Sequence, residues 1–218
     1  MKRFIVLFLL AAAAPVSVLA ANFSDVTADN PNSKAIQILK DSGIVSGYSD
    51  GTFKPNQKIS RAETLAVILK AAGIMAEKTS SKSPFTDVSE NDWFFPIIKK
   101  GHDMKKLKGY EDKTFRPGNP ITLTEAIAMT LSFFKINVKS LPVDSEIYDG
   151  LDSHEWYAKH AQYAKNQNLI EPDERGFIDS ATALTRGQAA ELVYRIRLVV
   201  QTSKPYDITE KWIETENK

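Results

Sequence analysis

The sequence contains no cysteine, which excludes two features that are common in exported proteins. Disulfide bonds cannot stabilise the fold, and no thiol is available to carry a lipid at a signal-peptide cleavage site. Low-complexity tracts are missing as well, and 43% of the residues are hydrophobic. We therefore expect a folded chain whose stability comes from a buried apolar core.

An excess of charge of one sign is also missing. The chain has 28 Lys and Arg residues against 27 Asp and Glu residues. Without Lys2 and Arg3, which we assign below to a removable N-terminal segment, 26 basic residues stand against 27 acidic ones. General binders of nucleic acid or anionic membranes carry a basic excess, so the composition argues against both classes.

Familiar catalytic motifs are missing too. The chain contains no Gly-x-Ser-x-Gly, no phosphate-binding loop and no His-Glu-x-x-His. Of its three histidines, His154 and His160 are six residues apart, about 240° around a helix, and His102 lies elsewhere. A pair of carboxylates for glycoside cleavage stays open, because such pairs assemble in space. We expect no catalytic residues, no metal and no cofactor.

Apolar runs long enough to span a membrane are missing. The longest candidate, residues 4–14, is shorter than the roughly 20 residues that a spanning helix needs, and Pro15 follows it. The basic pair Lys2-Arg3 precedes this run, and small residues at 18–20 follow it, as in a secretory signal peptide. We predict a signal peptide over residues 1–20, and therefore export.

What the sequence does contain is a recurring stretch. Residues 43–63 combine a glycine that can end a helix, a loop rich in turn-forming residues and the start of a new helix. A second copy follows 62 residues later, and a more divergent third copy places Phe177 62 residues after Phe115. Each copy ends in a capping box, in which two side chains satisfy backbone N–H groups at the helix start. The three boxes are Ser60-x-x-Glu63, Thr122-x-x-Glu125 and Thr185-x-x-Gln188.

This periodicity predicts repeated units that bury their apolar faces against one another. We divide the chain into unit one (22–76), unit two (84–138), unit three (147–201) and a polar tail (202–218). In each unit a first helix precedes the loop and a second helix follows it. The second helices are apolar on nearly every side, which is typical of buried helices. We predict an all-α fold of three tandem helix-loop-helix repeats around a central three-helix bundle, a pseudo-threefold spindle.

Unit one contains three motifs: Phe-x-Asp-Val over residues 23–26, Gly-Ile-Val-x-Gly-Tyr-x-Asp-Gly-Thr-Phe-x-Pro-Asn over 43–56, and Ile-Ser-Arg-Ala-Glu over 59–63. In this order the motifs resemble the S-layer homology (SLH) domain. Units two and three repeat these motifs in weaker form. The resemblance therefore covers almost all of the chain that follows the predicted signal peptide.

The resemblance implies a three-copy helical spindle that attaches exported proteins to the bacterial envelope. Members bind cell-wall polysaccharide non-covalently, often a polymer that carries pyruvate ketals, and such a polymer can be linked to peptidoglycan. For this chain the resemblance implies a non-catalytic anchor at the cell surface, in the cell wall or S-layer. The alternative is a structural or adaptor protein with degenerate sugar sites that acts through an envelope protein partner. An anchor normally carries cargo, whereas only a short tail follows unit three here. That alternative therefore stays open.

Four residues are candidates for carbohydrate binding: Arg61, Trp93, Trp156 and Arg186. The arginines stand at the first positions of predicted helices, where unpaired N–H groups and the helix dipole favour an anion. A guanidinium can bind a carboxylate through two parallel hydrogen bonds, and the family's binding arginine lies in the Arg-Ala-Glu motif. The indoles offer flat faces to a sugar. Each residue also has a structural interpretation, as an arginine stem packed on the surface or a tryptophan packed in the core.

The units depart from the family pattern in different ways. Unit one has Pro31 where a tryptophan is expected, and unit two has Leu123 where an arginine is expected. Unit three keeps both residues but lacks the Gly-Tyr-x-Asp-Gly-Thr loop. If grooves form between units, we expect Arg61 to cooperate with Trp93. A site at Leu123 is expected not to bind a carboxylate.

Overall fold

Six helices form the described fold. The computed structural model describes residues 23–78 and 81–208, so the predicted signal peptide and residues 209–218 of the tail lie outside this part. Over the described ranges the backbone forms isolated bridges and no strand, which confirms the all-α prediction. No helix in these ranges combines the length and apolarity needed to cross a membrane. The helices are α1 (Ser33–Asp41), α2 (Arg61–Ala71), α3 (Phe95–Asp103), α4 (Leu123–Phe133), α5 (Ala158–Asn166) and α6 (Arg186–Thr202).

The second helices of the three units pack against one another. Helix α2 contacts α4 and α6, and α4 contacts α6. Each first helix packs on the second helix of another unit: α1 on α6, α3 on α2 and α5 on α4. The first helix of one unit thus lies against the second helix of the unit before it, in cyclic order. A pseudo-threefold axis for the whole fold remains a prediction.

The apolar residues of these helices form one core. Its fully buried side chains include Leu65 and Ile68 of α2, Leu131 of α4 and Ile196 of α6. Burying a Leu or Ile side chain stabilises a protein by about 1.5–3 kcal/mol. These positions supply the stability that a chain without cysteine cannot take from disulfides.

All three predicted capping boxes are present. In unit one, the Glu63 backbone N–H donates to Ser60 Oγ (3.2 Å), and the Ser60 N–H donates to Glu63 Oε2 (2.9 Å). The same reciprocal pair starts α4 and α6. The starts of α2, α4 and α6 are therefore determined locally, by residues three positions apart.

A closed ring of backbone hydrogen bonds joins the three segments that precede these helices. The Ile59 N–H donates to the Leu184 carbonyl (3.1 Å), and Leu184 donates to the Ile121 carbonyl (2.9 Å). Ile121 completes the ring by donating to the Ile59 carbonyl (3.2 Å). Since each unit both donates and accepts once, the N-terminal ends of the second helices are held together at one end of the bundle.

An aspartate near the start of each of the first two units closes the loop before the second helix. The Asp25 carboxylate accepts from the Phe53 and Lys54 N–H groups, both at 2.7 Å. Asp87 accepts in the same way from Phe115 and Arg116, at 2.8 and 2.7 Å. This explains the Phe-x-Asp-Val motif: the aspartate ties the beginning of the unit to its loop.

Unit three makes the same connection with a different group, and this corrects the predicted register. There the Ile178 N–H donates to the backbone carbonyl of Asp149 (2.8 Å), next to Gly150 at φ +86°. Ile178 is 5% exposed, whereas Phe177 is 36% exposed. The predicted equivalence of Phe177 with Phe115 is therefore wrong. Ile178 takes that place, because unit three as a whole is displaced by 63 residues from unit two, as Trp93 and Trp156 or Thr122 and Thr185 show.

The first part of the tail packs on α6. Tyr206 is buried, its ring lies edge-on to Tyr194 with centroids 6.4 Å apart, and its N–H donates to the Gln167 carbonyl (3.0 Å). Beneath it, Arg195 is 3% exposed and donates to the carboxylates of Glu171 and Glu191, both at 2.7 Å. Desolvation by burial raises the pKa of Tyr206 to about 12.

Candidate functional site

Arg61 of unit one reaches into unit two. Its Nη1 lies 3.5 Å from Oε1 of Glu125, and its Nη2 donates to the Lys108 carbonyl (3.4 Å). The guanidinium stands 5.2 Å from the ring centroid of Tyr110 and 4.9 Å from that of Phe115. Because Arg61 is only 8% exposed, its side chain is an internal contact between units, not a stem lying along the surface.

Arg186 of unit three reaches into unit one in the same way. Its Nη1 lies 3.4 Å from Glu63 Oε1, and its Nη2 donates to the Ser46 carbonyl (3.3 Å). Its guanidinium stands over the rings of Tyr48 and Phe53, at 4.9 and 4.7 Å. The partners of Arg186 are thus the unit-one equivalents of those of Arg61. One additional bond, from Nε to the Phe53 carbonyl at 2.9 Å, is made by Arg186 alone of the two.

We expected the N–H groups at the helix starts to be available to an anion, but they already donate to backbone carbonyls of a neighbouring unit. The Arg61 N–H donates to the Asn119 carbonyl (2.9 Å), and the Arg186 N–H donates to the Gln57 carbonyl (2.8 Å). The next N–H groups, of Ala62 and Gly187, are also bonded to the loop of a neighbouring unit. Tertiary packing has satisfied these donors, so the guanidinium groups are what remains to bind an anion.

A cavity of about 500 Å³, which we name the Arg61 cavity, collects residues from all three units. Unit one contributes Arg61, unit two contributes the segment 105–110 with Glu125, and unit three contributes Trp156 and His160. The expected partnership of Arg61 with Trp93 is therefore wrong for this cavity, which contains Trp156 instead. The physical reason is the packing of α5 on α4, which brings the start of unit three beside the loop of unit two.

Both candidate tryptophans lie at the surface. Trp93 is 63% exposed and Trp156 is 59% exposed, so neither packs in the core. Each is supported on one side by the next residue: the ring centroids of Trp93 and Phe94 are 5.4 Å apart, and those of Trp156 and Tyr157 are 5.6 Å apart. An exposed indole held by an edge-on aromatic ring can stack against a sugar face.

His160 was not identified from the sequence, although it lies four residues after Trp156. Its Nδ1 is buried without a hydrogen-bond partner among the described residues, as is Nε of Arg61. Burial lowers the pKa of His160. A buried polar atom without a partner is costly, so we expect a water molecule or a polar ligand group to bind at these two atoms.

At the third junction between units, both members of the arginine–glutamate pair are replaced. Leu123 stands in place of the arginine, and Gln188 stands in place of the glutamate that faces it. A glutamate at position 188 would face a leucine where the glutamates of the other two units face an arginine. Leu123 and Gln188 line a cavity of about 600 Å³, the Leu123 cavity, whose arginines are held by carboxylates: Arg175 by Asp173, and Arg195 as described above.

Within residues 23–78 and 81–208, no group of three or more His, Asp or Glu side chains is arranged to hold a metal ion.

Comparison with known proteins identifies the repeats. The S-layer homology domain family matches residues 22–65 and 84–127. Units one and two carry S-layer homology domains over these residues. The predicted resemblance is thereby confirmed for units one and two, and unit three remains a prediction as a third SLH repeat, although its helices and capping box follow the same plan.

Several relatives share these SLH segments. The middle cell wall protein of Brevibacillus brevis is 31% identical over 121 residues, which cover 53% of this chain and 12% of the relative. A surface layer protein of Brevibacillus choshinensis is 34% identical over 98 residues, or 44% and 9% of the two chains. A cellulosome-anchoring protein of Acetivibrio thermocellus is 32% identical over 110 residues, or 49% and 24%. The chain therefore matches only a small part of each relative.

Proposed function

We propose that this chain is a non-catalytic module that holds a protein on the bacterial cell wall by binding an acidic polysaccharide. The Arg61 cavity is the main site, with the guanidinium of Arg61 facing a ligand carboxylate and the indole of Trp156 facing a sugar ring. The single observation that carries the proposal is that an arginine of unit one and an exposed tryptophan of unit three line one cavity.

The state of Arg61 supports this role. Only one carboxylate, that of Glu125, lies within 4 Å of its guanidinium among the described residues, and Nε has no partner. A ligand carboxylate is the acceptor that would complete its hydrogen bonding, because a guanidinium can donate two parallel bonds to it. The rings of Tyr110 and Phe115 hold the guanidinium in place, which lowers the entropy lost on binding.

A second site is proposed around Arg186 and Trp93. Arg186 has the same surroundings as Arg61, and Trp93 precedes α3, which packs on α2 as α5 packs on α4. These equivalences support a groove between units three, one and two that binds the same kind of group. Carboxylates in the form of pyruvate ketals fit the proposal as the charged group of either site.

The family and the named relatives support export to the cell wall or cell surface. The relatives are a cell wall protein, a surface layer protein and a cellulosome-anchoring protein. Binding to a polymer linked to peptidoglycan is the simplest way for this chain to act there. An adaptor role through an envelope protein is the second candidate, favoured by the Leu123 cavity, which is large but has no unpaired arginine.

Retention on purified cell-wall polysaccharide, with and without its pyruvate groups, tests the proposed function. Trp156→Ala is the primary variant, because an exposed indole can be removed without disturbing the core. We expect Trp156→Ala to weaken binding at least about tenfold. The double variant Trp93→Ala/Trp156→Ala should bind more weakly still. Met75→Ala, which removes another exposed apolar side chain, is the matched control and should change nothing. Equal retention of wild type and the double tryptophan variant would refute the carbohydrate site and favour the adaptor role.

A further inference from the structure

Three lysines distinguish the Arg61 cavity from the corresponding places in the other units. Lys105, Lys106 and Lys108 all line this cavity. The same positions are Gly43, Ile44 and Ser46 in unit one, and Asn168, Leu169 and Glu171 in unit three. A general helical scaffold does not require lysine there, since the other two units fold without it.

The segment that carries these lysines is held rigidly. The carbonyl of Lys106 accepts from Ser132 Oγ (3.1 Å), and the carbonyl of Lys108 accepts from Arg61. Leu107 between them is buried. Lys105 itself adopts a left-handed conformation, φ +56°, at the position where unit one has Gly43. A lysine in this conformation costs free energy that glycine avoids, so the lysine is not there to make the turn.

The three ammonium groups have no carboxylate partners within the described ranges. None of them lies within 4 Å of a carboxylate. The two acidic residues nearby are occupied: Glu125 by Arg61, and Asp103 by Lys99, which helps to lower the pKa of Asp103. The segment is therefore a concentration of uncompensated positive charge on a chain that is close to neutral.

A second cavity adjoins the Arg61 cavity at two of these lysines. A second depression of about 490 Å³, the His102 cavity, shares Lys105, Leu107 and Lys108 with the Arg61 cavity and extends to His102 and Asp103. A ligand longer than one sugar can thus pass from one cavity to the other across the lysines.

We propose that Lys105, Lys106 and Lys108 form a second anion subsite, which binds a further negatively charged group on the sugar next to the one held by Arg61 and Trp156. This inference rests on the proposed function and specifies its ligand: a polymer with negative charges on neighbouring sugars. The charged group is a carboxylate or a phosphodiester, and the chemistry of ammonium groups suits both.

The test compares a ligand with one charge and a ligand with many. The probes are a monosaccharide with one pyruvate ketal and the purified cell-wall polysaccharide, each titrated at several salt concentrations. The variant is Lys105→Gln/Lys106→Gln/Lys108→Gln. The control is Lys78→Gln/Lys82→Gln/Lys139→Gln, which removes the same charge from exposed lysines that line none of the cavities described above.

We expect the variant to bind the polysaccharide about tenfold more weakly than the control at low salt, and with less salt dependence. Binding of the monosaccharide should change less than about twofold, because Arg61 and Trp156 are intact. Hydrofluoric acid treatment of the polysaccharide then identifies the group. If it removes the advantage of wild type over the variant, the group is a phosphodiester; if the advantage persists, the group is a carboxylate.

Polysaccharide binding by the variant equal to that of the control would overturn the subsite. So would an equal loss for monosaccharide and polysaccharide, or a loss confined to binding of an acidic envelope protein. Failure of the proposed function is distinguishable, because Trp156→Ala would then leave binding of both probes unchanged.

Discussion

Arg61 and Glu125 lie 3.5 Å apart, Nη1 to Oε1, and they belong to different units. Glu125 also caps its own helix and accepts a hydrogen bond from the hydroxyl of Tyr110 at 2.5 Å. One carboxylate therefore caps the start of α4 and joins unit one to unit two. It also pairs with Nη1 of Arg61, the arginine that we assign to ligand binding. A ligand carboxylate must share Arg61 with it.

The first prediction follows from that sharing. We expect Glu125→Gln to bind the pyruvate-ketal monosaccharide about threefold to tenfold more tightly, because a neutral amide no longer competes for the guanidinium or repels the ligand. The cap should survive, since Gln188 forms the same capping box in unit three. Isothermal titration calorimetry measures the affinity, and thermal unfolding checks the cap. Weaker binding would mean that Glu125 serves to orient Arg61.

Arg195 provides a prediction about stability alone. Arg195 is 3% exposed, and its guanidinium is held by Glu171 and Glu191, both at 2.7 Å. Replacement by alanine removes the guanidinium that both carboxylates contact, and we expect a loss of about 3 kcal/mol in the free energy of unfolding. Arg197→Ala on the same helix is the control, with an expected loss below about 1 kcal/mol. Urea denaturation distinguishes the two, and equal losses would contradict the assigned role.

Gly47 provides a prediction about the repeated loop. A Cβ at this position would stand 2.4 Å from the Phe23 ring and 2.5 Å from the Thr52 carbonyl oxygen. We expect Gly47→Ala to destabilise the protein by about 1–3 kcal/mol, because backbone and a packed ring must both move. At Gly118 a Cβ has no neighbour within 4 Å, so Gly118→Ala is the control. A Gly47→Ala protein with the unfolding midpoint of Gly118→Ala would show that the loop yields without cost.

His160 makes stability depend on pH. Burial lowers its pKa, so at pH values between the lowered pKa and the ordinary value near 6.5 the unfolded chain binds more protons than the folded one. The free energy of unfolding should therefore fall as pH falls through this window. The charged groups that share its cavity are Arg61, the three lysines and Glu125.

His160→Gln should flatten this pH dependence, as measured by urea denaturation across pH 5 to 7. His154→Gln, in which the replaced side chain is 93% exposed, is the control and should keep the slope of the wild type. A slope in His160→Gln equal to that of the wild type would assign the pH dependence to other groups.

Local sequence patterns predicted the helix starts correctly and the register of unit three incorrectly. Capping boxes involve residues three positions apart, so their geometry does not depend on the rest of the fold. The place of Phe115 in unit three depends on which residue meets the Asp149 carbonyl, and that contact spans the whole unit. Counting 62 residues from Phe115 selected the exposed Phe177. Trp93 and Trp156, like Thr122 and Thr185, are 63 residues apart, and that spacing agrees with the packing of Ile178.

The sequence by itself determined the all-α class, the repeated units and the arginines and tryptophans as candidates, because caps, turns and apolar patterns act over a few residues. Only the tertiary structure decided that Arg61 and Trp156 line one cavity and that the helix N–H groups are already bonded. It also joined three lysines to the same cavity. These relationships depend on how each unit packs against the next, and no spacing within one unit contains that information.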